Sequence, residues 1–300
     1  MKTLLVLIRR NMQLFFKDKG MFFTSLITPL ILLLLFVTFL GNVYRSSIQA
    51  VIPQGISVPD SLIEGFVGSW LFSSLLAVCC VTIAFCSNML MVQDKAVGVR
   101  ADLTIAPVKR STLAWGYYIA STLSTLLICL VTAGVCLLYL SQVGWYLSAQ
   151  DILLALLDVG LLVTFGTALS SIINYFLSSQ GQMAAVSTIV SSCYGFLCGA
   201  YMPISQFSDG IQKFVSFLPG TYGTALLRNH LMHGVLDALQ ADYLPADAVD
   251  VIRQSFDSEL YFFDHAVTTT QMYLVLGISV ALLIAGYVLL NVLGNRKKTM

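Results

Sequence analysis

Residues able to do chemistry are few, and their spacing excludes more than it suggests. The seven cysteines, Cys79, Cys80, Cys86, Cys129, Cys136, Cys193 and Cys198, all fall in apolar stretches, form no CxxC pair and have no histidine at ligand spacing. They read as small buried hydrophobes rather than redox centres or metal ligands. His230 and His233, three apart, share a helical face and could touch one metal ion, but no third ligand is evident. An intramembrane enzyme needs a nucleophile and base, or a metal set, at membrane depth; the three histidines all lie outside the apolar cores. Asp158 is the odd charge, about two helical turns past Asp151 and followed by a long uncharged run. It meets a cationic substrate, pairs with a neighbouring helix, or sits at headgroup level if its helix enters the membrane later. Asn88 and Asn174, polar among apolar neighbours, suit helix-to-helix hydrogen bonds. The richest segment is Gln93 to Arg110, where charges alternate with small and apolar residues. Asp94 is expected to cap a short helix, Leu103 to give it an apolar contact and Pro107 to stop it. Such a rigid helix would be a docking surface; the alternative is a solvated loop that only supplies positive charge.

The elements that must position these residues are membrane helices. Of 300 residues 57% are hydrophobic and 10% charged, too few charges to cover a soluble surface. The net charge of +1 gives no case for nucleic acid. Charge-free intervals run from Gly20 to Tyr44, Gly65 to Gln93, Ser111 to Gln150 and Val159 to Ser208, with a last one around Thr270 to Leu293. Each apolar core reaches the roughly 20 residues that cross the hydrocarbon. The fold class expected is all-α integral membrane, with six transmembrane spans at about 22–43, 66–93, 113–140, 151–178, 183–203 and 270–293. The basic residues Lys2, Arg9, Arg10, Lys17 and Lys19, then Lys95, Arg100, Lys109 and Arg110, then Arg296, Lys297 and Lys298, fall on one side of this topology. The positive-inside rule makes that side cytoplasmic, with both termini inside a plasma-membrane protein.

Flanking the spans, residues 1–20 are expected to form an amphipathic helix in the cytoplasmic interface, with Leu5, Ile8, Met12, Phe15 and Phe16 on its apolar side and a break at Gly20. A cleavable signal peptide is not expected. Residues 94–112 form the basic loop, 204–269 an acidic outer region and 294–300 a basic tail. After Met202-Pro203-Ile204 the apolar residues Phe207, Ile211, Phe214, Val215 and Leu218 recur at helical spacing, as in a helix dipping back into the outer leaflet or anchoring at its surface.

The pattern Asp94-Lys95-x-x-Gly98, then Leu103-x-x-Ala106-Pro107-Val108-x-Arg110 and Leu113, resembles the coupling segment of type-2 ABC transporter permeases. Two positions depart from it: Asp94 stands where Glu is commoner, and Val99 where a hydroxyl residue often follows the glycine. The N-terminal interfacial helix, six spans and re-entrant outer helices follow the family order, so the resemblance covers essentially the whole length. It implies a permease that pairs with a second permease chain, as homo- or heterodimer, and with cytoplasmic ABC ATPase subunits docked on Asp94, Lys95, Gly98, Asp102, Leu103, Ala106, Pro107 and Arg110. No GxxxxGK[ST] loop occurs in the chain, so ATP and Mg belong to the partner ATPase and this chain binds no cofactor. The resemblance further implies export of a hydrophobic or amphipathic compound, such as a drug, antibiotic, peptide or lipid, along spans two and five. Phe72, Leu76, Ser192 and Phe196 are the expected lining, with Asp158 beside them. An ion-coupled secondary transporter or channel is the other reading, although only Pro29 interrupts a span core.

Overall fold

A computed structural model of the chain describes residues 2–53, 56–105, 108–263 and 265–293. Ala106, Pro107, Asp264 and the basic tail 294–300, which the sequence reading used, lie outside the described residues. Helix α1 (Lys2–Lys17) is followed by α2 (Lys19–Leu35), which runs through a π-helical turn, Phe36–Leu40, into α3 (Gly41–Val51). Then come α4 (Asp60–Ala96), α5 (Val99–Ile105), α6 (Arg110–Val143), α7 (Ala149–Phe176) and α8 (Gln180–Leu197). Beyond α8 lie a 3-10 turn, Ile204–Gln206, α9 (Asp209–Val215), α10 (Pro219–Asp242) and α11 (Ala246–Ser255). A short antiparallel ladder of β1 (Tyr261–Phe262) and β2 (His265–Ala266) precedes α12 (Thr269–Leu293).

Among the described residues five helical segments are long and apolar enough to cross a membrane: Lys19–Val51, Asp60–Ala96, Arg110–Val143, Ala149–Phe176 and Thr269–Val292. Helix α8 has 18 residues, and Ser187, Thr188, Ser191 and Ser192 dilute its apolar side chains. At its start, α1 turns Leu7, Asn11 and Phe15 onto the protein, a stripe at i, i+4 and i+8. Leu5 and Val6 stay exposed. The stripe is therefore rotated from the one expected, because α1 packs against α6, where Gly116 admits Leu7. The break also moves: Asp18 caps α2 by accepting from Met21 N at 3.1 Å, and Gly20 lies inside the helix.

Helix α4 is the axis of the molecule. Apolar on all sides, it is buried almost without interruption from Leu62 to Val92, with α2, α6, α7, α8 and α10 packed around it. Close crossings depend on small residues. A Cβ at Gly166 of α7 would lie 2.9 Å from both Cys80 O and Val81 Cα, backbone atoms that cannot swing aside. Gly166→Ala is expected to push α7 off α4 and cost about 1–3 kcal/mol, the usual range for overpacking. A fall in thermal unfolding temperature in detergent checks it, and an unchanged value would mean that the crossing yields freely.

Within 204–269, expected as an acidic outer region, lies the 24-residue helix α10. Where a dipping helix is expected from Phe207 to Leu218 stands the seven-residue α9, after the 3-10 turn; the long element starts at Pro219, with proline at its first position. Helix α10 is buried from Gly220 through most of its length and packs on α4, α7 and α12. Gly223 fits against Leu162 of α7 at one end, and Gly234 against Tyr146 at the other.

Candidate coupling segment and groove

At the end of the molecule that carries α1, Asp94 does not cap a following helix. It lies in the last turn of α4, and its carboxylate accepts from Arg10 Nη1 at 2.7 Å, Arg10 Nη2 at 3.1 Å and Tyr117 Oη at 2.6 Å. This fork ties α1, α4 and α6 together, and a bidentate guanidinium–carboxylate pair fixes orientation as well as distance. The Asp94 side chain is 7% exposed and Arg10 29%, so water screens the pair only partly. The bond to Asp94 raises the Arg10 guanidinium above its already high value. Lys95 turns the other way and donates to Tyr175 O at 3.1 Å and Leu177 O at 2.7 Å, the carbonyls closing α7. A cation there meets the negative end of the helix dipole.

Gly98 has φ of 90°, a region open mainly to glycine, and it turns the chain from α4 into α5. Leu103 is half-buried against the cluster of Leu7, Leu90, Leu113 and Tyr117. On its other side the segment is open: Val97, Asp102, Lys109 and Arg110 are exposed, and Ile105 is 84% exposed. A short helix anchored from below by Asp94, Lys95 and Leu103 thus presents apolar and charged groups outward.

The expected lining residues fall in separate places. Phe72 and Leu76 are buried and border a cavity of about 20 Å³ among α4, α6 and α7, closed by Cys136, Leu140 and Val159. Ser192 and Phe196 instead line an open groove of about 600 Å³ between α2 and α8. Thr24, Thr28, Ile31, Ser187, Thr188 and Ser191 contribute to its walls, so hydroxyls alternate with aliphatic carbons. Gly195 is the one residue of α8 that is buried. Asp158 joins neither place. It is 0% exposed, accepting from His230 Nδ1 at 2.6 Å and Tyr273 Oη at 2.7 Å. It therefore pairs with neighbouring helices α10 and α12.

The two histidines diverge accordingly. His233 sits 3.6 Å from Asp151 and 3.4 Å from Asp237, away from His230. Asn88 bridges α4 to α7 by donating to Ser170 Oγ at 3.0 Å and Ser171 Oγ at 2.7 Å. Arg228 of α10 is not among the residues singled out from the sequence. It is 1% exposed, 3.1 Å from Asp257, with its guanidinium 4.6 Å over the Trp70 ring. The signal present in the sequence was its company, Leu226, Leu227, Leu231 and Met232, an apolar setting unlike a solvated loop.

With these features in place, residues 2–232 match the family model described as ABC-2 type transporter. Among curated proteins none matches the chain.

Proposed function

Because the chain belongs to the ABC-2 type transporter family, we propose that it is the permease of an exporter that moves a hydrophobic or amphipathic compound outward, driven by a separate ATPase. The observation that carries this reading is the anchored α5 segment. A docking element must pass on force, and α5 follows directly on the last turn of α4, which the fork on Asp94 and the Lys95 bonds join to α1, α6 and α7. ATPase closure against Val97, Asp102 and Ile105 would then move several helices rather than bend a loop. Helix α8 is the sixth crossing in this reading, both termini are cytoplasmic, and the acidic end lies outside. The α2–α8 groove is half of the path. Its hydroxyls suit polar groups of a cargo and its aliphatic side chains the rest, and a second permease copy or relative closes it.

The test is co-expression with the ATPase encoded beside the gene, purification through a tag on this chain, and measurement of retained ATP hydrolysis. Leu103→Asp with Pro107→Gly is expected to remove at least about nine-tenths of the retained ATPase, since a charge at 103 does not stay in the apolar cluster that the half-buried Leu103 packs against. If no ATPase is retained by the unaltered chain in lipid, the exporter reading fails and ion-driven transport is next in line.

A further inference from the structure

The chain leaving α8 folds back over the groove. Gly199 takes φ of 71°, and the amides of Ala200 and Tyr201 both return to Gly195 O, at 2.8 and 3.0 Å. The Tyr201 ring then lies directly on Gly195, where any Cβ would collide with it, and edge-on to Phe196 at 5.0 Å. Its hydroxyl donates to Ser191 O at 3.2 Å. Tyr201 and Met202 thereby wall the groove at the end away from the coupling segment.

Both ends of this turn are held by one buried ion pair. Arg228 donates to Gly199 O, to Ser74 Oγ of α4 at 3.2 Å and to Asp257 Oδ2 at 3.1 Å. Asp257 in turn accepts from the amides of Ile204 and Ser205. Trp70, beneath the guanidinium, donates to Phe256 O at 3.0 Å, and Tyr44 of α3 donates to Tyr201 O at 3.2 Å. The arrangement is costly. Asp257 has φ of 52°, unusual for a residue with a side chain, and Arg228 Nε is buried with no hydrogen-bond partner. Apolar side chains would pack this space with less penalty. What the pair supplies is directional hold on two points of the turn, through bonds that converge on Arg228 and Asp257.

We propose that Arg228 is the positioning residue of the closure, holding the 199–204 turn across the far end of the groove until transport opens it. The proposal rests on the groove being the transport path, but its test needs no ATP turnover. The parent is the full chain carrying Thr188→Cys and Cys193→Ser, expressed with its ATPase. It is labelled with a membrane-impermeant maleimide on intact cells and, separately, on inverted vesicles.

Arg228→Gln is expected to raise the labelling rate from outside about tenfold, the population shift expected on losing a charge-assisted hydrogen bond, and to leave the inner rate unchanged. Arg228→Lys, which keeps the charge without the fork, is expected to fall between. Tyr201→Ala leaves the ion pair intact and removes the wall, so it is expected to give the same one-sided rise even if Arg228→Gln fails to reach the membrane. An unchanged outside rate with either variant, or equal rises from both sides as unfolding would give, overturns the proposal. Failure of the exporter reading shows instead as absent ATPase in the purified complex.

Discussion

Replacing Asp158 by alanine is expected to lower stability by about 3–5 kcal/mol, the range for breaking one side of a buried pair. The carboxylate is fully buried and receives two short bonds, from His230 at 2.6 Å and Tyr273 at 2.7 Å, which join α7 to α10 and α12. Alanine leaves a ring N–H and a phenol unsatisfied beside a new cavity. For a chain of this size the unfolding temperature in detergent should drop on the order of 10 °C. Asp158→Asn is the informative companion, since its carbonyl can still accept from Tyr273. It is expected to cost about 1–2 kcal/mol, with transport per folded molecule unchanged. A carboxylate that handled a cationic cargo or a coupling ion would show the reverse, with transport abolished at an unchanged melting temperature. That outcome would sink the structural assignment and revive the secondary-transporter reading.

Part of this architecture was legible in the amino-acid order, because it depends on local composition. Long charge-free runs can only be buried in lipid or protein, and the five apolar helices arise from them. The short helix expected in the segment after Asp94 also follows from neighbours in sequence, although it starts at Val99, past a turn at Gly98. What escaped depends on distant partners. Arg228 drew no notice because Ser74 is 154 residues away, and α10 lies in a segment expected only as an acidic outer region. Asp94 was assigned to the helix beside it, whereas its partner Arg10 is 84 positions back. The division of Phe72 and Leu76 from Ser192 and Phe196 has a different cause. Helix α4 is apolar on every side, so no periodicity tells which face meets a groove.

The Asp94 fork yields the second large effect, and here the expected loss is in coupling more than in folding. Asp94→Asn removes the charge that holds Arg10 and Tyr117, and Arg10→Ala removes one of those two partners. Asparagine should therefore be the more damaging change, by about 2–3 kcal/mol in all, with Arg10→Ala near half of that because its guanidinium is partly solvated. A double-mutant cycle on the two should return a coupling energy of about 1 kcal/mol, most of the cost of Arg10→Ala alone; additivity would show that the two side chains do not act together. Under the exporter reading the functional consequence is distinct. With the fork gone, the segment still offers Val97 and Ile105 to the ATPase, so ATP hydrolysis in the purified complex should persist. Motion of α5 would no longer reach α1 and α6 together, and transport per ATP should fall about tenfold, the equivalent of 1.4 kcal/mol of lost coupling. Equal losses of hydrolysis and transport would place Asp94 in docking alone. An unchanged ratio with full hydrolysis would mean that force travels from α5 through Lys95 and α7, the other anchor of the same segment.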